Sequence, residues 1–310
     1  MGISHYLKEI GRGARGARPL DRAQAADLFT QVLDGSVTDL EVGAFCLAMR
    51  IKGESAAELA GFLDATASRS RLFPVEGDTP VVVLPSYNGA RKLPMLTPLL
   101  ALLVAREGQP VLVHGTATEN GRVTSQEVFA RLGIHPLTDV RTITPGEAVF
   151  APTELISPGL KRLLDVRRVV GLRNPAHSVV KLMNPCDGPA LRVASYTHAA
   201  YAESMAETFA LVGATALLSR GMEGEVVADP RRTAELTGFV DGRPIQLQAQ
   251  APGTAAEVPG LPDNTDADLA ADYTRAVLDG RQPLPEPIRR QLEHLLLLTR
   301  QLKPSATETA

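Results

Sequence analysis

The spacing of apolar positions changes near residue 80. Before that point they recur with helical period, around His5 to Ile10, through Asp21 to Asp34 closed by Gly35, and through Asp39 to Lys52 closed by Gly53. Thr38 with Glu41, and Ser55 with Glu58, have capping-box spacing, in which hydroxyl and carboxylate satisfy free N–H groups at a helix start. These signals predict a helical lobe. From Pro80 onward, short β-branched runs alternate with helical stretches: Val81 to Leu84, a helix from Pro94 to Arg106, Val111 to His114, a helix from Ser125 to Leu132, then Ala148 to Ala151. Such alternation predicts βαβ units and a mostly parallel sheet covered by helices. The pattern continues through Ala214 to Leu218 and Gly224 to Val227, and ends in helices Leu269 to Asp279 and Glu286 to Gln301. The stretch Ala249 to Asn264, rich in Pro, Gly and acids, reads as an exposed loop. The expected fold class is α/β. A small N-terminal helical lobe (1–75) is joined by a mid-chain helical segment near 157–190, and a large α/β domain follows (76–310).

Length and composition agree with two lobes, since a chain of 310 residues with 44% hydrophobic and 22% charged residues exceeds the usual size of a single core. Cys46 and Cys186 form no Cys-x-x-Cys pair and no two histidines share a helix face at ligand spacing, so no structural metal or disulfide is expected. No apolar run is long enough to cross a bilayer, and Met1 to Leu20 is basic without a secretory apolar stretch, which predicts a cytoplasmic protein with no membrane partner.

The net charge of −3 argues against a polyanion partner until its distribution is followed. Lys8 to Arg22 holds five basic and two acidic side chains, and Lys161 to Lys181 six basic and one acidic. Glu257 to Asp272 holds five acids and no base. A strongly positive face can therefore coexist with a negative total. Within the first basic block, Arg12, Arg15 and Arg18 recur every third residue in a Gly- and Ala-rich loop. That loop is either a solvated linker or a phosphate-contacting arm.

Several segments resemble the anthranilate phosphoribosyltransferases of glycosyltransferase family 3. Leu40 to Glu58, with Ala48-Met49-Arg50-Ile51-Lys52-Gly53-Glu54, resembles their N-terminal lobe, and Val113-His114-Gly115 followed by Leu132-Gly133-Ile134 resembles their next βα unit. Phe150-Ala151-Pro152, Val166-Arg167, Gly171-Leu172-Arg173 and Met183-Asn184-Pro185 follow in the family's order, so the likeness covers about residues 5–230. It implies a phosphoribosyltransferase fold.

The departures from that family fall on phosphate and metal chemistry. Where the enzymes carry Gly-Thr-Gly-Gly-Asp around a pyrophosphate, this chain has Pro85-Ser86-Tyr87-Asn88-Gly89-Ala90-Arg91-Lys92. Pro85 lacks an N–H, Tyr87 adds bulk and Asn88 replaces a carboxylate, so Ser86 to Gly89 read as a remnant phosphate loop in which Tyr87 either stacks on a base or plugs the cradle. The adjacent Asp-Glu that holds magnesium in the enzymes becomes Glu223-Gly224-Glu225, which leaves Glu223 and Glu225 as weak metal candidates. Arg122-Val123-Thr124-Ser125 stands for Lys-Ser-Gly-Ser, and Arg173-Asn174 for Arg-Thr.

The altered motifs, with Lys8-Glu9-Ile10-Gly11-Arg12-Gly13, resemble the YbiB-type DNA-binding proteins. That resemblance implies a homodimer joined through the helical lobes, binding DNA, or RNA, with little sequence preference and no catalysis or cofactor. The residues expected to contact phosphates are Arg12, Arg15, Arg18, Arg91, Lys92, Arg122, Arg167 and Arg173. The alternative is a magnesium-dependent phosphoribosyltransferase acting on phosphoribosyl pyrophosphate, which would retain Arg167, Arg173 and Asn184-Pro185. His114 at a strand end is expected to be a hydrogen-bonded structural histidine, and Arg50 and Lys52 to complement a helix dipole.

Overall fold

A computed structural model describes residues 2–13, 15–77 and 79–302. Residues 1, 14, 78 and 303–310, which include both outer ends of the expected domains and Ala14 of the arginine loop, lie outside the described residues.

Four helices build the N-terminal lobe: α1 (Ser4–Ile10), α2 (Arg22–Asp34), α3 (Asp39–Lys52) and α4 (Ala56–Ala67). Both predicted capping boxes form, at Thr38/Glu41 and Ser55/Glu58, and a third at Asp21/Gln24 starts α2. Each reciprocally satisfies two end N–H groups. Phe29, Phe45 and Phe62 meet at the centre of the lobe, with the Phe29 and Phe62 rings stacked at 4.5 Å.

A two-residue strand β1 (Phe73–Pro74) leads into the main sheet through β2 (Val81–Pro85). Next come α5 (Thr97–Arg106), β3 (Val111–Gly115), α6 (Ser125–Arg131), β4 (Ala148–Pro152) and the single turn α7 (Thr153–Ile156). The mid-chain helices α8 (Pro158–Val170) and α9 (Ala176–Leu182) pack back onto α2 and α4. The chain continues through β5 (Cys186–Asp187), which pairs with β1, then β6 (Ala190–Tyr196), α10 (Ala199–Leu211) and β7 (Ala216–Arg220). It ends with β8 (Leu236–Val240), β9 (Arg243–Gln248), α11 (Ala267–Leu278) and α12 (Glu286–Leu302). The large sheet has the order β4-β3-β2-β6-β7-β8-β9, parallel as far as β7 and antiparallel beyond. This is the α/β fold class expected from the sequence, with its helical lobe.

The topology places the site. From β2 the chain winds outward through β3 to β4, whereas β6 and β7 lie on the other side of β2. The order reverses between β2 and β6, and a crevice opens beyond the carboxyl ends of strands at such a switch point. The loops after β2, β3, β6 and β7 converge there. Gly115 permits the approach, because a Cβ on it would lie 1.8 Å from the Ser86 carbonyl oxygen.

Several features differ from the expectations, among them α10, β8 and β9, for which the apolar pattern gave no signal. The helix expected from Pro94 starts at Thr97, without a side-chain cap. Gly224 to Val227 forms no strand. Glu223 and Gly224 both have left-handed backbone, φ 55° and 88°, and turn the chain back so that Met222 N donates to the Val227 carbonyl at 2.9 Å. Strand β6 escaped the apolar pattern because it carries Arg192, whose guanidinium is covered by the Phe209 ring at 5.6 Å. The β8–β9 hairpin turns on Asp241-Gly242, both at positive φ, a pair suited to the twist of a two-residue turn.

Candidate nucleic-acid interface

The loop after β2 is held by the loop after β7. Glu225, 2% exposed, reaches under the β2 loop. Its Oε1 accepts N–H bonds from Asn88 (2.9 Å) and Gly89 (3.1 Å), and its Oε2 accepts hydroxyl bonds from Ser86 (2.5 Å) and Thr97 (3.1 Å). Glu223 repeats the arrangement one turn on, its Oε2 accepting from the N–H groups of Arg91 (2.7 Å) and Lys92 (3.2 Å). Burial pushes the Glu225 carboxyl up from its usual value, and the hydrogen bonds it accepts pull it back toward the charged form.

This geometry shows what the loop Ser86 to Gly89 now holds. The amides of Asn88 and Gly89 still converge on an anion, but the anion belongs to the chain. Asn88 fits this arrangement better than a carboxylate would. Its Nδ2 donates to the Gly224 carbonyl (2.6 Å) while its Oδ1 accepts from Arg173 (2.9 Å) and its carbonyl from Arg122 (2.8 Å). Tyr87 is 4% exposed and lies edge-on to His177, so it fills the site and offers no stacking face to solvent.

Around the closed loop the cations gather. Arg122, Arg167 and Arg173 all point at the single carboxylate of Glu119, the first two in close ion pairs and Arg173 at 3.8 Å. Three guanidiniums share one acid, and the buried Nη1 of Arg167 has no hydrogen-bond partner. Arg91 lies near enough to Arg122 to oppose its charge. Arg91 and Lys92 are exposed, and no carboxylate pairs with either side chain among the described residues. Arg168 extends the edge, donating to the Ala117 carbonyl at 3.1 Å.

Arg12, Arg15 and Arg18 lie in the loop between α1 and α2. Arg12 folds back onto α1, paired with Glu9 at 2.7 Å, and its loop borders an apolar groove between α1 and α3. Among the described residues, no hydrogen bond or ion pair joins Arg12, Arg15 or Arg18 to the cluster at the sheet end.

Behind the loop a cleft of 240 Å³ separates the lobe from the α/β domain, lined by Arg50, Glu54, Tyr87, Arg173, His177 and Lys181 among others. Arg50, expected to complement a helix dipole, lines this cleft, as does Lys181, whose place in a basic run does not reveal that it is buried. Lys52 instead pairs with the buried Glu58 at 2.6 Å. Lys181 donates to the Ser195 carbonyl at 2.9 Å; burial, reinforced by Arg173, pushes it down to about 8.

His114 is buried at the end of β3, and neither ring nitrogen has a partner, which corrects the expectation of a hydrogen-bonded histidine. Burial pushes it down to about 4. The unfolded chain therefore binds the proton more tightly, so the stability that neutral His114 contributes is full above pH 6.5 and is lost as the pH falls through about 4. Comparing wild type with His114→Leu by urea unfolding isolates the effect: the balance should move toward the variant by about 3 kcal/mol between pH 7 and pH 4. A difference that does not vary with pH would contradict this burial.

Comparison with known proteins defines the class. Residues 4–70 match the glycosyl transferase family, helical bundle domain. The anthranilate phosphoribosyltransferase structure from Thermus thermophilus superposes with a TM-score of 0.70 at 18% identity, covering 96% of this chain and 94% of that one. The Saccharomyces cerevisiae enzyme in complex with PRPP and Mg superposes at 0.69 with 14% identity, covering 97% and 90%. The protein thus has the anthranilate phosphoribosyltransferase fold. By sequence, an anthranilate phosphoribosyltransferase of Methanopyrus kandleri is 27% identical over 300 residues, 91% of this chain and 84% of that one. YbiB of Escherichia coli is 38% identical over 310 residues, covering 96% of this chain and 95% of that one. The chain belongs to the YbiB family.

Magnesium does not fit the acids available to it. Glu223 and Glu225 already accept six hydrogen bonds, four of them from backbone N–H groups, and Glu225 is sealed from solvent. A small octahedral ion needs oxygens free to turn toward it. Among the described residues no group of three His, Cys, Asp or Glu side chains could hold a metal, and no helix is long and apolar enough to cross a membrane.

Proposed function

We propose that this protein binds nucleic acid, DNA or RNA, in the cytoplasm without catalysing a reaction, and that phosphates lie along the cations at the carboxyl end of the sheet. The observation that carries this reading is the convergence of Arg122, Arg167 and Arg173 on one carboxylate, with Arg91 and Lys92 unpaired beside them among the described residues. Such a cluster neutralises backbone phosphates and releases condensed counterions, so affinity falls steeply with salt and depends little on base order. Every phenylalanine is buried and the chain has no tryptophan, which leaves few surfaces for base stacking.

The test is a fluorescence titration with short single- and double-stranded oligonucleotides at two salt concentrations. Binding that weakens steeply with salt and ignores sequence supports the reading. The rival transferase predicts tight, magnesium-dependent binding of phosphoribosyl pyrophosphate in a calorimeter; that result would replace this proposal.

The proposal includes a homodimer joined through the helical lobes. Leu40, Ala44, Leu47 and Ile51 form a stripe on α3 at spacings of four, three and four, and Leu40, Leu47 and Ile51 are 84%, 47% and 63% exposed. An uncovered aliphatic stripe of this kind suits helix-to-helix association. In a dimer built this way, the loop of Arg12, Arg15 and Arg18 would border the interface and extend the cationic surface. Leu47→Asp with Ile51→Asp should halve the mass seen by light scattering without lowering the unfolding midpoint of the monomer; an unchanged mass would exclude this face.

A further inference from the structure

The loop after β2 contains two pairs of consecutive backbone N–H groups, and each pair forks onto one carboxylate oxygen. Asn88 and Gly89 share Oε1 of Glu225, and Arg91 and Lys92 share Oε2 of Glu223. Consecutive N–H groups turned toward one point are a nest for an anion, and the carboxyl ends of parallel strands are where such nests meet ligands. Here the nests are filled from within. Glu223 does so from left-handed backbone at φ 55°, a conformation that disfavours any residue with a Cβ. Its carboxylate is what that strained position supplies.

We propose that Glu223 and Glu225 are specificity-determining residues: internal anions that occupy both nests and exclude small diphosphate-bearing molecules, while the neighbouring side-chain cations stay open to phosphates of a longer chain. A tethered carboxylate is present at a high effective concentration, so a free anion must displace it and also leave it without partners. Displacing Glu225 would also unpair Thr97 and cost Ser86 one of its two hydroxyl bonds, which makes its nest the more firmly closed. Glu223 is only partly buried and makes no bond beyond the Arg91 and Lys92 amides among the described residues, so its nest is the one a substitution can open.

The experiment uses the full chain and inorganic pyrophosphate. Glu223→Gly removes the carboxylate and places at φ 55° the residue that most readily adopts it, so the fold is retained or strengthened. Glu223→Asn, which tolerates the same backbone but is too short to cap the amides, is the second variant. Calorimetry should show pyrophosphate bound at least about tenfold more tightly by both variants than by wild type. The Arg91 and Lys92 amide resonances should shift on titration in the variants and stay fixed in wild type. Equal affinity in all three proteins, as binding to side-chain cations alone would produce, overturns the proposal. So does a folded variant with no gain. Oligonucleotide titration is a separate readout: if wild type bound no nucleic acid, the functional reading would fail while the claim about the filled nests would stand.

Discussion

On the proposed nucleic-acid-binding reading, reversing Arg91 and Lys92 to glutamate should weaken the binding of every oligonucleotide alike, on the order of 100-fold at low salt. Their backbone N–H groups are fixed by Glu223, while their side chains project into solvent with no paired carboxylate among the described residues. Nothing in the fold depends on those side-chain charges, so the variant should unfold at the wild-type denaturant concentration. The salt dependence of the residual binding should become shallower by about one unit of log-log slope for each phosphate that is no longer neutralised. A variant that loses one sequence and keeps another would indicate base readout and contradict a backbone-driven mode. Arg122 and Arg173 are poorer test sites, because both hydrogen-bond to Asn88 and their removal would loosen the loop itself.

Replacing Glu225 by alanine should destabilise the protein by about 4 kcal/mol, a large share of the roughly 5–15 kcal/mol typical of a folded domain. The substitution would strand the N–H groups of Asn88 and Gly89 and the hydroxyl of Thr97 in a sealed interior, whereas Ser86 keeps Ser125 at 2.6 Å. Each orphaned donor forfeits about 1–3 kcal/mol, partly offset because a carboxylate no longer has to be buried. Glu225→Gln, of nearly the same shape, retains one acceptor oxygen and should lose less. Urea unfolding measures both, and an alanine variant as stable as wild type would show that the buried carboxylate does not hold the loop.

The helices of the lobe were legible because their signals are local. Thr38 with Glu41 and Ser55 with Glu58 cap helix starts through groups three residues apart, and Gly35 and Gly53 end helices by their own backbone freedom. Strands β2, β3 and β4 were equally plain, since apolar runs buried on both faces need no tertiary partner to be noticed. Strand β6 was hidden by Arg192, whose burial depends on a ring seventeen residues away. The Gly224 to Val227 segment was misread because apolar character says nothing about the left-handed turn at Glu223 and Gly224.

At the site, the resemblance to the phosphoribosyltransferase and YbiB-type motifs singled out the loop Ser86 to Lys92 and the basic residues Arg122, Arg167 and Arg173, because a motif fixes residue type and order along the chain. Their hydrogen-bond and ion-pair partners were decided only by three-dimensional packing. That Glu225 reaches a loop 136 residues earlier, or that Glu119 gathers three guanidiniums from two segments, follows from which strands lie side by side. No local pattern encodes that order. The same packing left Gly11, Gly13 and Ala17, from the loop that carries Arg12, Arg15 and Arg18, lining the α1–α3 groove, since a surface loop follows the elements it joins and not its own charge.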